Sequence, residues 1–106
     1  MIVTTAHTIP GKKIQKVYGL VRGNTIRARH IGNDIMAGLR NIVGGEVTEY
    51  TKLMAEAREE AVDRMTADAE SLGANAVVGT MFSTSMIMSG AAELLAYGTA
   101  VKVTDE

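Results

Sequence analysis

The sequence predicts an α+β fold of two layers, in which one long helix lies across a β-sheet. The helical pattern of residues 47–73 is the strongest in the chain, and strand patterns stand on both sides of it. The predicted order is strand, short helix, long helix, strand, strand. A helix of about 25 residues cannot be a linker in so short a chain, so it must pack across the sheet.

The first strands are predicted from alternation. "IVTTA" (2–6) reads as a short opening strand, and Pro10-Gly11 marks a turn. "KIQKVYGLVRG" (13–23) reads as a strand that places these side chains on one face: Ile14, Lys16, Tyr18, Leu20 and Arg22. "TIRARHI" (25–31) also alternates, and it is either a short edge strand or an extended connector.

Helix signals begin at "GNDIMAGLRNIVGG" (32–45). Asn33 can cap a short helix, and Gly44 suits the left-handed position that ends it. The long helix has Thr48 as its N-cap and ends at Gly73. Opposite charges four residues apart predict three stabilising pairs on its surface: Lys52/Glu56, Glu60/Arg64 and Arg64/Asp68.

Two strands are predicted after the long helix. "ANAVVGTMFSTSM" (74–86) is apolar and β-branched at first and then alternates. "AAELLAYGTAVKV" (91–103) is ambiguous, because "AAELLA" contains helix-forming residues whereas "YGTAVKV" favours a strand. The preceding strand needs a partner, so the whole segment is predicted to be a strand.

Composition predicts a single domain, residues 1–106, that gains from self-association. Only four residues are aromatic, and a core this light in large side chains benefits from an additional buried interface. The chain has no cysteine, and no segment has the length and apolarity of a membrane span. The N-terminus has no secretory-signal pattern. A soluble, cytoplasmic protein is expected, with no membrane partner.

Charge is balanced overall but unevenly placed. The formal net charge is −1, so binding to nucleic acid is not expected. Residues 12–29 carry six basic residues and no acid, whereas most acids lie in residues 46–70. This segregation fits complementary surfaces that meet within or between subunits.

Gly44-Gly45 precedes the long helix and raises the question of an anion site. Backbone amides at a helix N-terminus attract anions, and Arg40 lies close by in sequence. No phosphate-loop pattern is present, however, and a tight turn between two helices explains the glycine pair more simply. Arg40, Gly44 and Gly45 are therefore candidate ligand-binding residues beside a structural alternative.

Metal ligands are few. His30 and Asp34 lie four residues apart and could share a site, whereas nothing in the sequence brings His7 to them. Met86 and Met88 are predicted on one strand face, near Met81, and thioethers suit soft metals such as Cu(I). Surface histidines and methionine packing are the ordinary explanations.

No catalytic arrangement stands out. The acids of the long helix fit a solvated face, and no Ser-His-Asp order is present. The sequence therefore favours a protein that is not an enzyme and leaves the identity of any cofactor or metal open.

Four motifs together resemble the YbjQ family, small proteins of bacteria and archaea whose function is not established. They are collinear over nearly the whole chain: "YGLVRG" (18–23), "DIMAGLRNIVGG" followed by "EY" (34–50), "LGANAVVG" (72–79) and "YGTAVKV" (97–103). The resemblance implies a dodecin-like βαββ subunit with a three-stranded antiparallel sheet covered by the long helix. It also implies a homopentameric ring in which short extra strands assist assembly.

The family carries a heavy-metal-binding label, which the resemblance extends to this chain as an expectation. Without cysteine, any metal would need carboxylates, His30 or the methionines, contributed by several subunits. The resemblance places Arg40, Gly44 and Gly45 in a turn close to a neighbouring subunit. The expected function is ligand or metal binding at interfaces of a homopentamer. An anion-binding protein or enzyme and a purely structural or partner-docking oligomer are the alternatives.

Overall fold

The computed structural model describes residues 1–28, 45–88 and 91–106. In chain order these residues form β1 (Ile2–Val3), β2 (Lys12–Ala28), α1 (Gly45–Ser71), β3 (Ala76–Met88) and β4 (Ala91–Asp105). The α+β prediction is confirmed. The predicted short helix lies outside the described residues.

The sheet is mixed and has four strands in the order β1-β3-β4-β2. The predicted three-stranded antiparallel sheet is wrong in both respects, because β1 adds to β3 in parallel. The amide of Ile2 donates to the carbonyl of Asn75 at 3.2 Å, and the amide of Thr4 donates to the carbonyl of Val77 at 3.0 Å. The other two pairings, β3 with β4 and β4 with β2, are antiparallel.

β2 is one strand of 17 residues rather than a strand followed by a separate segment. Its pairing with β4 runs without a break through Gly23-Asn24 to Ala28. Gly23 allows close packing between this strand and the helix. A Cβ at Gly23 would collide with the backbone of Ala61 and Met65, so the missing side chain lets α1 lie directly on β2.

Two β-bulges change the faces of β2. The register with β4 shifts between Ile14 and Lys16 and again between Val17 and Gly19. Ile14 pairs with Val103 and Lys16 with Lys102, so Ile14 and Lys16 lie on opposite sides of the sheet. The predicted common face for Ile14 through Arg22 is therefore wrong, because alternation holds only between bulges.

α1 begins at Gly45, so Thr48 lies inside the helix and is not its N-cap. The helix ends at Ser71, and the turn after it uses Gly73 with a φ of 94°. Residues four apart form its buried face: Ala57, Ala61, Met65 and Ala69. Of the three predicted charge pairs, only Glu60–Arg64 occurs among the described residues, at 2.6 Å.

The core lies on both faces of the sheet. α1 covers one face through a cluster of mostly small residues: Val21, Ala61, Met65, Ala69, Ala74, Val77, Ala96 and Ala100. Among the described residues, the opposite face, here called the open face, is covered at the end where the N-terminal segment crosses it. There Ile9 packs on four buried residues: Ala76, Val78, Val101 and Val103. β4 pairs on both sides, which confirms it as a strand throughout.

The chain is elongated. Its extents are 57 × 22 × 17 Å and its radius of gyration is 17.5 Å. A compact domain of this size has a radius of gyration of about 13 Å. The long axis matches the length of β2, since 17 residues at about 3.3 Å each span roughly 56 Å. No helix among the described residues is long and apolar enough to cross a membrane.

Candidate functional site

β3 divides into a covered half and an exposed half. From Ala76 to Thr80 the N-terminal segment lies along its outer edge. The last contacts there are the amide of Gly79 donating to Ala6 at 2.9 Å and the amide of Thr80 donating to Thr4 at 3.0 Å. From Met81 to Met88, every residue is exposed.

We call this exposed outer edge, Met81–Met88, the bare edge. No strand lies beside it among the described residues, because β3 pairs only with β1 and β4. It presents five large apolar side chains: Met81, Phe82, Met86, Ile87 and Met88. Residues 81–88 include no charged residue and no proline, which are the usual protections of an edge strand.

A polar depression lies on the open face between β2 and β4. Arg22, Asn24, Glu93 and Leu95 line its volume of about 360 Å³. The side-chain amide of Asn24 donates to Oε2 of Glu93 at 3.3 Å. The guanidinium of Arg22 makes no ion pair with the described residues.

A second depression of about 420 Å³ lies at the other end of the sheet. Its walls are residues 8–14 and Glu106. Lys12 forms an ion pair with Asp105 there at 2.6 Å. The hydrogen bond from Lys12, and then its charge, lower the pKa of the exposed Asp105 carboxyl below its ordinary value. The Asp105 carboxyl is therefore ionised at neutral pH, where it holds Lys12 in the ion pair.

Ion pairs within the chain neutralise part of the segregated charge. Arg27 on β2 forms an ion pair with Glu60 of α1, and Arg64 joins the same carboxylate at 2.6 Å. Arg64 also donates to the carbonyl of Asn24 at 2.5 Å. This network clamps α1 onto β2 and explains two of the arginines as structural.

The two candidate thioether ligands do not share a face. Met86 pairs with Ala92 and Met88 pairs with Ala91, with a register shift between them. Paired residues lie on the same side of a sheet, and Ala91 and Ala92 alternate, so Met86 and Met88 lie on opposite sides. The predicted two-sulfur set is therefore not assembled within one strand.

Most of the remaining predicted site residues are not part of the described structure. His30, Asp34, Arg40 and Gly44 lie outside the described residues, and Gly45 is the first residue of α1. The anion site and the His30–Asp34 site stay predictions. His7 packs against Gly79, where a Cβ would lie 3.1 Å from Nδ1 of the imidazole. Its imidazole thus abuts the covered half of β3.

Comparison with known proteins places the chain. A family model described as "Putative heavy-metal-binding" matches residues 1–104. The chain belongs to the YbjQ family.

Relatives of this YbjQ-family chain named "UPF0145 protein" match it along nearly its whole length. The protein of Methanosarcina acetivorans is 61% identical over 103 residues, covering 97% of each chain. That of Archaeoglobus fulgidus is 55% identical and covers 97% of this chain and 95% of its own. That of Clostridioides difficile is 54% identical over 106 residues, covering 100% and 95%.

A solved structure shares the fold of this YbjQ-family chain. It is a protein with unknown function of the DUF74 family from Pediococcus pentosaceus, with a TM-score of 0.65 over 98% of both chains. Its sequence identity of 16% limits the likeness to the fold.

The heavy-metal label can be tested on this YbjQ-family chain. Soft heavy metals prefer thiolates, and the sequence has no cysteine. Within residues 1–28, 45–88 and 91–106, no group of three His, Asp or Glu side chains could hold a metal ion. Since Met86 and Met88 are also separated, the described residues of one subunit do not fit a heavy-metal site.

Sequence reasoning missed the polar depression in this YbjQ-family chain. Arg22 and Asn24 are two apart on β2 and therefore share a face, which the pattern "RGN" could have indicated. Their juxtaposition with Glu93 depends on the register of β2 against β4. The two bulges earlier in β2 set that register, and no residue pattern predicts where they occur.

Proposed function

We propose that this chain forms a homo-oligomeric ring of five subunits that binds a metal ion or small ligand at its subunit contacts. The observation that carries the proposal is the bare edge. An edge strand with eight exposed residues, large apolar side chains and no charge invites another strand to pair with it. The occupant that we propose is a second copy of this chain.

Two further features support self-association. β1 already adds to the first part of the same edge, so β3 accepts strand addition in this fold. The chain is also elongated, so it buries less of its apolar surface than a compact domain of the same length would. Contacts between subunits would bury side chains that α1 and the N-terminal segment leave exposed. The number five comes from the family resemblance.

Ligand binding is assigned to the contacts because one subunit does not supply a ligand set. The separated Met86 and Met88 could each meet groups from another copy, and His30 and Asp34 remain candidates by sequence. Arg40 with Gly44-Gly45 is the corresponding candidate for an anionic ligand at the start of α1.

Native mass spectrometry of untagged protein, purified without chelator, tests the proposal. The expected result is a pentamer with a stoichiometric additional mass, which would identify the class of ligand. A pentamer of bare polypeptide mass would support the ring and contradict ligand binding. A monomer at micromolar concentration would contradict the whole proposal.

A variant of the bare edge tests the proposed contact. Phe82→Lys with Met86→Lys places two charges on the edge and is expected to give folded monomers. The matched control is Leu72→Lys, which changes an apolar residue that is 46% exposed but lies outside β3. An intact pentamer in the double variant would show that subunits meet elsewhere.

A further inference from the structure

Three lysines gather on the helix side of the sheet, beyond the end of α1. Lys13 pairs with Thr104 and Lys16 pairs with Lys102. Lys102 and Thr104 are two apart on β4 and share a face, so all three ammonium groups lie on one surface. We call Lys13, Lys16 and Lys102 the lysine patch. All three are exposed.

The lysine patch is electrostatically uncompensated within the described subunit. Like charges directly opposite one another destabilise a pair of strands, and Lys16 stands opposite Lys102. The Lys16 ammonium lies 4.8 Å from the centre of the Tyr18 ring, which offers a weak cation–π contact. No lysine of the patch forms an ion pair with the described residues. By contrast, Lys12 is paired with Asp105.

α1 carries the opposite charge on its outermost face. At 100° per residue, four exposed acids fall within an arc of about 60°: Glu56, Glu59, Asp63 and Glu70. We call these four residues the acidic arc. It points away from the buried face of Ala61 and Met65, and Lys52 is its one basic neighbour at helical spacing. None of the four acids forms an ion pair with the described residues.

The geometry points to docking of the lysine patch of one subunit on the acidic arc of the next. Arg27 and Arg64 are neutralised by ion pairs with Glu60 of the same chain. The lysine patch and the acidic arc have no such ion pairs among the described residues. A second copy of the chain carries both surfaces, so each lysine patch has an acidic arc of complementary charge to meet.

Such a contact is heterologous, because two different surfaces meet. Repeated contacts of this kind generate a ring when the rotation between subunits closes. The inference rests on the proposed homo-oligomer and names a contact distinct from the bare edge. Its electrostatic character predicts that assembly weakens with salt, since the screening length falls from about 10 Å at 0.1 M to about 3 Å at 1 M.

Charge reversal tests the inference by sedimentation velocity over a dilution series. Lys13→Glu with Lys102→Glu is expected to raise the dissociation constant about tenfold or more, because acids then face acids. Glu59→Lys with Asp63→Lys is expected to do the same. Combining all four substitutions in one chain restores opposite charges at every contact, and is expected to recover most of the lost affinity in a ring of any size.

The control is Arg22→Glu with Arg58→Glu, which changes the net charge by the same amount at exposed sites outside both surfaces. It is expected to leave the dissociation constant within a few-fold of the original protein. Circular dichroism verifies that each variant is folded, and the salt dependence of the unchanged protein provides a test that needs no variant.

Each other outcome overturns the inference. If the lysine variant assembles like the original protein, the lysine patch is not a contact, and the proposed oligomer stands on the bare edge alone. If the lysine variant weakens assembly but the fourfold variant does not restore it, the patch meets something other than the acidic arc. If the unchanged protein is a monomer, the proposed function and the inference fail together.

Discussion

The covered and exposed halves of β3 belong to one strand and pair with the same neighbour, yet their surroundings differ. In Ala76–Thr80, side chains pack under α1 on one face and under Ile9 on the other. In Met81–Met88, large apolar side chains remain exposed, and Met86 is 73% exposed. Strand propensity alone therefore does not place a residue in the core. Burial depends on which other segments reach it.

The largest expected effect comes from truncating one side chain in each half. Val77→Ala is expected to lower the free energy of unfolding by roughly 2–3 kcal/mol, because Val77 is fully buried and a cavity remains. Ile87→Ala removes more apolar volume, yet it is expected to cost less than about 1 kcal/mol in the isolated subunit. Urea unfolding of both variants at low protein concentration measures the difference.

Repeating these measurements at high protein concentration extends the comparison to assembly. If Ile87 is buried between subunits, Ile87→Ala reduces the concentration-dependent part of the stability, whereas Val77→Ala does not. Equal losses for the two variants at low concentration would contradict the division of β3 into two environments.

A smaller effect is expected just before the covered half, where the Asn75 side chain pairs with the backbone of β4 through two hydrogen bonds. Its side-chain amide donates to the carbonyl of Val103 at 2.9 Å, and the amide of Val103 donates to its Oδ1 at 2.8 Å. Asn75→Ala leaves both half-buried groups of Val103 without these partners and is expected to cost about 1–3 kcal/mol.

Asn75→Asp keeps an acceptor for the Val103 amide, but it replaces the donor with a carboxylate oxygen that faces the Val103 carbonyl. It is therefore expected to melt no higher than Asn75→Ala at neutral pH, and to recover part of the loss in acid, where a protonated carboxyl can donate. If Asn75→Ala melts like the original protein, the covered half does not depend on these hydrogen bonds, and its contrast with the bare edge weakens.

The smallest effect is expected at the ion pair that closes the covered end of the sheet. The pKa of Asp105 is lowered in the folded state, so the pair stabilises the fold above the ordinary pKa of 3.8. That contribution is lost as the pH falls through the lowered folded value. Asp105→Asn is therefore expected to melt slightly below the original protein at neutral pH and to converge with it in acid. A constant difference at all pH values would contradict this linkage.

The long helix and the strand character of β3 and β4 could be predicted from local sequence patterns. The helical spacing of Ala57, Ala61 and Met65 predicted α1, because a period of 3.6 residues is a local property. Strand character in β3 and β4 followed from β-branched residues and the need for a pairing partner. Of the candidate site residues, the described structure contains Gly45, Met86 and Met88; the two methionines lie on opposite sides of the sheet, and the other candidate sites stay predictions.

The rest could not be predicted, because it depends on contacts between distant segments. A bulge shifts the register of a strand but has no residue pattern that marks it. Alternation therefore could not predict on which side of the sheet Lys16, Tyr18 and Met88 lie. The sequence does not show why residue 23 is a glycine. The structure does, because α1 lies too close to β2 there for a side chain. A strand at "IVTTA" was predicted, but its parallel pairing with β3 through Ile2 and Val3 was not.

By itself, the sequence determined the fold class, the long helix, the absence of thiolate chemistry and the family, because these depend on composition and local periodicity. The tertiary structure decided the mixed sheet, the separation of Met86 from Met88, the polar depression at Arg22 and the exposure of the bare edge. The physical reason is that hydrogen-bond register and burial are properties of pairs of segments, which exist only when the chain has brought them together.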